Sequence, residues 1–169
     1  SANYPGFPNF NPVGQALLPR FRTYALKLLT SVNADYEIVR NLRFRTKFSM
    51  DYNNSEEDQY EPSGTAIGGY LEGVGGKGYG VYLTGTSYTL INSNVFTYYL
   101  TLNNKHHFNT LLGNEIIHSQ SRSSSVQGRI FPSDDFTYIG SAGIVDAGSS
   151  GFGQNGLVSF FGEVKYDYD

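Results

Sequence analysis

Cysteine and tryptophan are absent from this chain, and charge is scarce. The lack of cysteine excludes disulfides, thiolate metal sites and a cysteine nucleophile, while leaving the compartment open. Only 16% of residues are Asp, Glu, Lys or Arg, against about a quarter in an ordinary soluble domain. A net charge of −3 and the lack of any long basic cluster give no reason to expect nucleic acid as a partner. No stretch approaches the ~18 apolar residues of a membrane helix, and no basic-then-apolar leader opens the chain. What remains is aromatic and glycine-rich. With 14 Tyr, 12 Phe and 20 Gly in 169 residues, the composition predicts one all-β domain with long turns.

The clearest pattern runs from Leu42 to Tyr52. Leu42, Phe44, Thr46, Phe48, Met50 and Tyr52 share one face of a strand, and Arg43, Arg45, Lys47, Ser49 and Asp51 share the other. Its length matches the roughly 9–11 residues with which a tilted strand crosses a bilayer. In a soluble sheet the charged face would meet bulk water; in a membrane barrel it would line the lumen, with the apolar face against lipid.

The same alternation recurs on either side. Residues 1–21, rich in proline, read as an irregular lead-in. Tyr24 to Ile38 reads as a strand, with a helix over Phe21–Leu29 as the competing reading. A three-residue loop over Val39, Arg40 and Asn41 pairs Ile38 with Leu42 and keeps both apolar faces on one side; Asn41 suits the left-handed position of such a loop. Phe96–Leu102 and Phe108–Ile116 form a second hairpin, with the turn expected at Asn104-Lys105-His106 and Asn103 pairing with His107. Val158 to Tyr168 is a fifth strand, whose polar side is broken by Phe161. Two long loops, 53–87 and 119–155, separate these units, and both fall at the end opposite the tight turns. That asymmetry is characteristic of transmembrane barrels. Residues 22–169 therefore read as an antiparallel up-and-down meander of about five long strands; since the smallest membrane barrels have about eight, either the chain is part of a larger transmembrane β-barrel or the barrel reading fails.

No catalytic constellation emerges, and the chain is not expected to be an enzyme. His106 and His107 lie in a predicted turn, and His118 and Ser119 are strand neighbours that point to opposite faces. The Gly73–Gly80 run fails as a phosphate loop, since Leu71 stands where its first Gly belongs and Gly78 follows Lys77 where Ser or Thr is needed. Glu56, Glu57 and Asp58 offer hard oxygen ligands for calcium but without the EF-hand pattern. No cofactor is otherwise expected. The loop aromatics Tyr60, Tyr70, Tyr79, Tyr82, Phe136 and Tyr138 could stack on sugar rings, or pack the loop down. Arg43, Arg45, Lys47 and Asp51 are the candidate lumen-facing residues.

Several segments resemble a known family. The run from Ala34 through Leu42-Arg43-Phe44-Arg45 to Met50-Asp51-Tyr52 resembles a strand–turn–strand of the SusC/RagA-like TonB-dependent outer-membrane transporters. Lys105-His106-His107-Phe108 through Leu111-Leu112-Gly113-Asn114-Glu115 is similar to a hairpin of that family, and Leu157 to Tyr168 to one of its late strands. Phe131-Pro132 with Asp134 and Tyr138 resembles the loop between them. Asn114 stands where an aromatic is usual, and Glu163 where Arg is common. The resemblance implies an internal barrel segment, without the family's plug, TonB box or carboxy-terminal strand. It implies an outer-membrane location and a role in glycan or peptide uptake. The partners would be the rest of the barrel and plug, a SusD-like surface lipoprotein, the oligosaccharide or peptide substrate, and membrane lipid. The alternative expectation is a soluble exported β-domain that binds glycan or protein through its long loops.

Overall fold

The computed structural model describes residues 12–70, 77–146 and 148–169. Helix α1 (Pro12–Leu17) leads into strands β1 (Arg20–Val39), β2 (Leu42–Glu61), β3 (Tyr79–Leu102), β4 (His106–Arg129), β5 (Ile144–Val145) and β6 (Ser149–Tyr168). A single π-helical turn, Ala66–Tyr70, and a 3-10 turn, Ile139–Ser141, lie in the two long connections. The protein is all-β. The sheet order is β1-β2-β3-β4, with β5 and β6 both on β4, so β1 and β6 leave the sheet unclosed.

All five expected long strands are present, each longer than its alternation predicts, and β1 is a strand where a helix over Phe21–Leu29 was the alternative. The connections span 62–78 and 130–148, rather than 53–87 and 119–155. Alternation fades beyond Tyr52 because both faces turn polar there, and before Phe96 because apolar residues fall on both faces, as at Tyr82-Leu83 and Leu90-Ile91; the backbone ladder needs no single apolar face to continue. β5 is an additional two-residue strand, pairing Gly128 with Val145 and Arg129 with Ile144. The lead-in carries α1 where irregular chain was expected; residues 1–11, with Phe7 and Phe10, lie outside the described residues, as do Leu71 to Gly76 of the glycine-rich run.

The first hairpin keeps the expected register. Asn41 is left-handed (φ 69°), and Arg45 Nε donates to Asp35 Oδ1 at 2.8 Å. That contact requires Asp35 and Arg45 on one face, as pairing Ile38 with Leu42 demands and pairing Val39 with Leu42 forbids. The second turn lies one residue earlier than expected. Lys105 N donates to Leu102 O at 3.1 Å, and Asn103 and Asn104 are both left-handed (φ 54° and 55°). Two adjacent left-handed residues define a type I′ turn, which consecutive asparagines tolerate best after glycine. The apolar faces still agree. Tyr88 Oη donates to Gln120 at 3.1 Å, and the hydroxyls of Thr89 and Ser119 lie 3.0 Å apart.

Residue contacts divide the chain into two compact units. One comprises residues 27–53, 87–121 and 153–169 and contains both tight turns; the other comprises 1–26, 54–86 and 122–152 and contains both long connections. The turn unit has no fully buried side chain; Tyr60 and Phe131, the buried apolar residues, both belong to the connection unit.

Candidate functional site

In the turn unit, the strand registers place all even-numbered strand residues on one face and all odd-numbered ones on the other. The even face is apolar and open: Leu28, Val32, Tyr36, Phe48, Tyr98, Leu112, Phe160, Val164 and Tyr166 are all exposed. Aromatic rings pair across it, Phe44 with Phe96 at 4.7 Å and Phe108 with Tyr166 at 5.0 Å. From Tyr52 and Tyr88 to Tyr98 and Val164 the apolar stretch covers about ten residues of strand, the span that a tilted strand needs for a hydrocarbon layer of roughly 25 Å. Polar side chains interrupt it at Thr30, Thr110, Asn114 and His118 and in one hydrogen-bonded chain. Thr46 Oγ1 donates to Asn94 Oδ1 (2.7 Å), Asn94 Nδ2 to Asn92 Oδ1 (2.8 Å), and Asn92 Nδ2 to the Lys47 carbonyl (3.3 Å). Each link gives a donor to an acceptor, as polar groups removed from water require.

The odd face of the same unit carries its charges and ion pairs, among apolar residues such as Leu29, Tyr99 and Leu157. Arg43, Arg45, Lys47 and Asp51 share it, as their spacing predicted. Besides the Arg45–Asp35 pair, Lys27 Nζ lies 3.8 Å from Asp51, whose Oδ1 accepts from Asn53 at 3.0 Å. Lys165 and Glu163 lie 3.4 Å apart on β6. These groups are solvated, so each pair adds at most about 1 kcal/mol; their effect is on the field along the wall rather than on stability. Phe161, which broke the polar side of β6, lies over Gly113. A Cβ there would meet the Phe161 ring at 2.5 Å, so a glycine makes room for that ring.

The connection unit is built differently. Its two connections are tied together around a small core. Phe131 N donates to Lys77 O (2.8 Å), Ile130 N to Gly78 O (3.3 Å) and Gly143 N to Ile130 O (2.8 Å). Phe131 is 1% exposed and packs edge-on against Tyr60, with centroids 5.0 Å apart. Gly78, left-handed at φ 86°, permits this: a Cβ there would stand 2.3 Å from the Tyr60 hydroxyl. Asp134 closes the core. Its Oδ1 accepts from Tyr60 Oη (3.0 Å) and Ser63 N (2.9 Å), and its Oδ2 from Ser63 Oγ (2.7 Å). Buried Thr65 holds the turn beneath, donating to Pro62 O and accepting from Gly68 N.

The electrostatics follow from that geometry. Burial alone would raise the Asp134 carboxyl, but the hydrogen bonds from Ser63 and Tyr60 outweigh it and hold Asp134 below the ordinary carboxylate range. Tyr60 moves up, first because it is buried and then because its proton is shared with an anion. Tyr79 is also raised, by burial and by the charge of Asp146.

The candidate aromatics therefore separate. Tyr60 is a core residue, 3% exposed, with no free face for a sugar. Tyr79 and Tyr82 are half-buried. Phe136 and Tyr138 are well exposed, the latter beside Arg20, Arg22 and Asp58 in a small cleft. The side chain of Tyr70 lies outside the described residues. Glu56 and Asp58 share one strand face while Glu57 takes the other, where it accepts from Gln59; among the described residues no three acidic or histidine side chains converge as a metal cage. The role of Asp134 was missed in the sequence. Its partners lie over 70 residues away, beyond the reach of any local pattern.

No protein-family model matches the chain, and no curated protein matches it. Its fold is similar to solved structures of the RagAB peptide importer. The 'closed-closed' state aligns with a TM-score of 0.78 at 15% identity, covering 89% of this chain and 16% of the importer chain. The 'open-open' state aligns with a TM-score of 0.79 at 16% identity, covering 91% and 17%. The chain thus spans about a sixth of the length of the structures it matches.

Proposed function

We propose that this chain is a wall segment of a TonB-dependent outer-membrane transporter. The carrying observation is the turn unit's even face, apolar across a bilayer-sized span and exposed, beside an odd face of paired charges. A water-facing sheet would place another layer over those side chains, because their exposure forfeits about 25 cal/mol per Å² of apolar surface. Lipid removes that penalty without a second layer. The fold similarity to importer chains supports the same reading, as do the free edges of β1 and β6, which further strands of a larger barrel would complete.

On this reading Arg43, Arg45, Lys47 and Asp51 line the lumen. The connections 62–78 and 130–148 face the cell exterior, where Phe136 and Tyr138 are the aromatic side chains left free to meet an incoming glycan or peptide. A surface lipoprotein would close over that vestibule, and the plug would occupy the lumen. Transport needs no catalytic residue from this segment.

Single cysteines test the faces, and the chain offers no native thiol to confuse the result. In the intact protein reconstituted in lipid, Phe48→Cys and Leu112→Cys carrying a fluorophore should be quenched by lipid-borne spin labels. Arg45→Cys and Asp51→Cys should react with a water-soluble maleimide and escape that quenching. Equal behaviour on both faces would exclude the lipid assignment and leave the soluble, loop-binding β-domain.

A further inference from the structure

We propose that the connection unit carries a binding trough for a saccharide bearing an oxyanion, centred on Arg122 and Phe152. The Arg122 guanidinium lies over the Phe152 ring, 5.5 Å from its centroid. Phe152 is 61% exposed, and Arg122 is exposed as well. No carboxylate pairs with Arg122 among the described residues. Beside the pair, Thr84, Thr86, Ser123, Ser124 and Ser150 border a shallow, open trough of about 460 Å³.

The ring face attracts the guanidinium charge and holds it near the trough. The guanidinium is a fork of donors matched to a planar or tetrahedral oxyanion. The uncovered part of the Phe152 ring offers an apolar platform for the C–H face of a sugar. The flanking hydroxyls both donate and accept, so they can meet sugar hydroxyls of either polarity. Thr86 already donates to Asn54 Oδ1 at 2.8 Å, which leaves its oxygen directed as an acceptor. A neutral sugar would leave the guanidinium edge unsatisfied, and a bare anion would leave the ring and hydroxyls unused; a phosphorylated or carboxylated sugar uses all three. Arg122 and Phe152 belong to the connection unit and share no residue with the candidate lumen set Arg43, Arg45, Lys47 and Asp51.

Two sources share this chemistry, the headgroup of a membrane glycolipid and a soluble anionic glycan. The test uses the intact protein in detergent micelles, titrated calorimetrically with glucose 1-phosphate and, separately, with phosphorylated lipid A in mixed micelles. Binding of either probe, weakened about tenfold or more by Arg122→Gln and by a smaller factor by Phe152→Leu, supports the site. Lipid A alone identifies the glycolipid source, and the sugar phosphate alone the soluble one. Thr84→Val, a surface hydroxyl change, checks the trough should Arg122→Gln misfold, and it should weaken binding about threefold. Failure of both probes to bind, equal binding of unphosphorylated glucose, or unchanged affinity in Arg122→Gln would overturn the proposal.

Discussion

The two units solve the burial problem in opposite ways. The connection unit folds as water-soluble protein does: Phe131 and Tyr60 are sealed, their polar atoms are paired, and glycine is placed where ring and backbone meet. The turn unit seals nothing. Most of its apolar side chains lie open on one face, its strand charges are confined to the other, and its order comes from the backbone ladder and from rings paired across strands. The difference teaches that exposure of hydrophobic residues cannot be judged without naming the solvent. In water the turn unit would be an aggregation surface; in lipid it is an ordinary wall.

Four measurements would sharpen or break that contrast. The largest effect is expected in the connection unit, where Phe131→Ala should cost about 3–5 kcal/mol through lost burial and the cavity left behind. Limited proteolysis should then cut both connections, since each is held by the same core; cleavage confined to 130–148 would show that they are independent. Next, Phe48→Arg on the even face of the turn unit should destabilise the protein by about 2–4 kcal/mol in lipid vesicles, read by urea unfolding. A neutral result would remove the lipid-facing assignment.

Third, Asp134→Ala should cost about 1–3 kcal/mol by leaving Tyr60 and Ser63 without an acceptor. The same carboxylate gives a pH signature. Because Asp134 is held below its ordinary range, its contribution is full above about pH 4 and is lost as pH falls through the lower folded value. Tyr60, raised, contributes fully below about pH 10 and loses its contribution as pH rises through its folded value. Hydrogen exchange of Ser63 and Phe131 amides should therefore show a protected plateau between these limits, and Asp134→Asn should flatten its acid side. Smallest of all, Arg45→Ala should change stability by at most about 1 kcal/mol while altering passage of charged substrates. A large stability loss there would mean that the odd face is packed rather than open.

Much of the turn unit was legible because its information is local. Alternation separated Phe44 and Phe48 from Arg43, Arg45 and Lys47, and Asn41 marked the left-handed turn position. The second turn slipped by one residue because Asn103, Asn104 and Lys105 all read as turn formers, and only the left-handed pair Asn103–Asn104 decides among them. The outer parts of β2 and β4 read as loop for a related reason. From Asn53 to Gln59 and from Ser119 to Ser125 both faces are polar, so period 2 leaves no trace while the backbone still pairs.

By itself, then, the amino-acid order determined the strand class, the two faces of the turn unit and the tight first hairpin, since each depends on neighbours within a few residues. Only the tertiary structure decided where the strands end, that Tyr60 belongs to a core rather than to a ligand, and that Asp134 joins two distant connections. The physical reason is sequence separation. Tyr60 and Asp134 are 74 residues apart, and no local pattern records which distant donors a buried carboxylate will find.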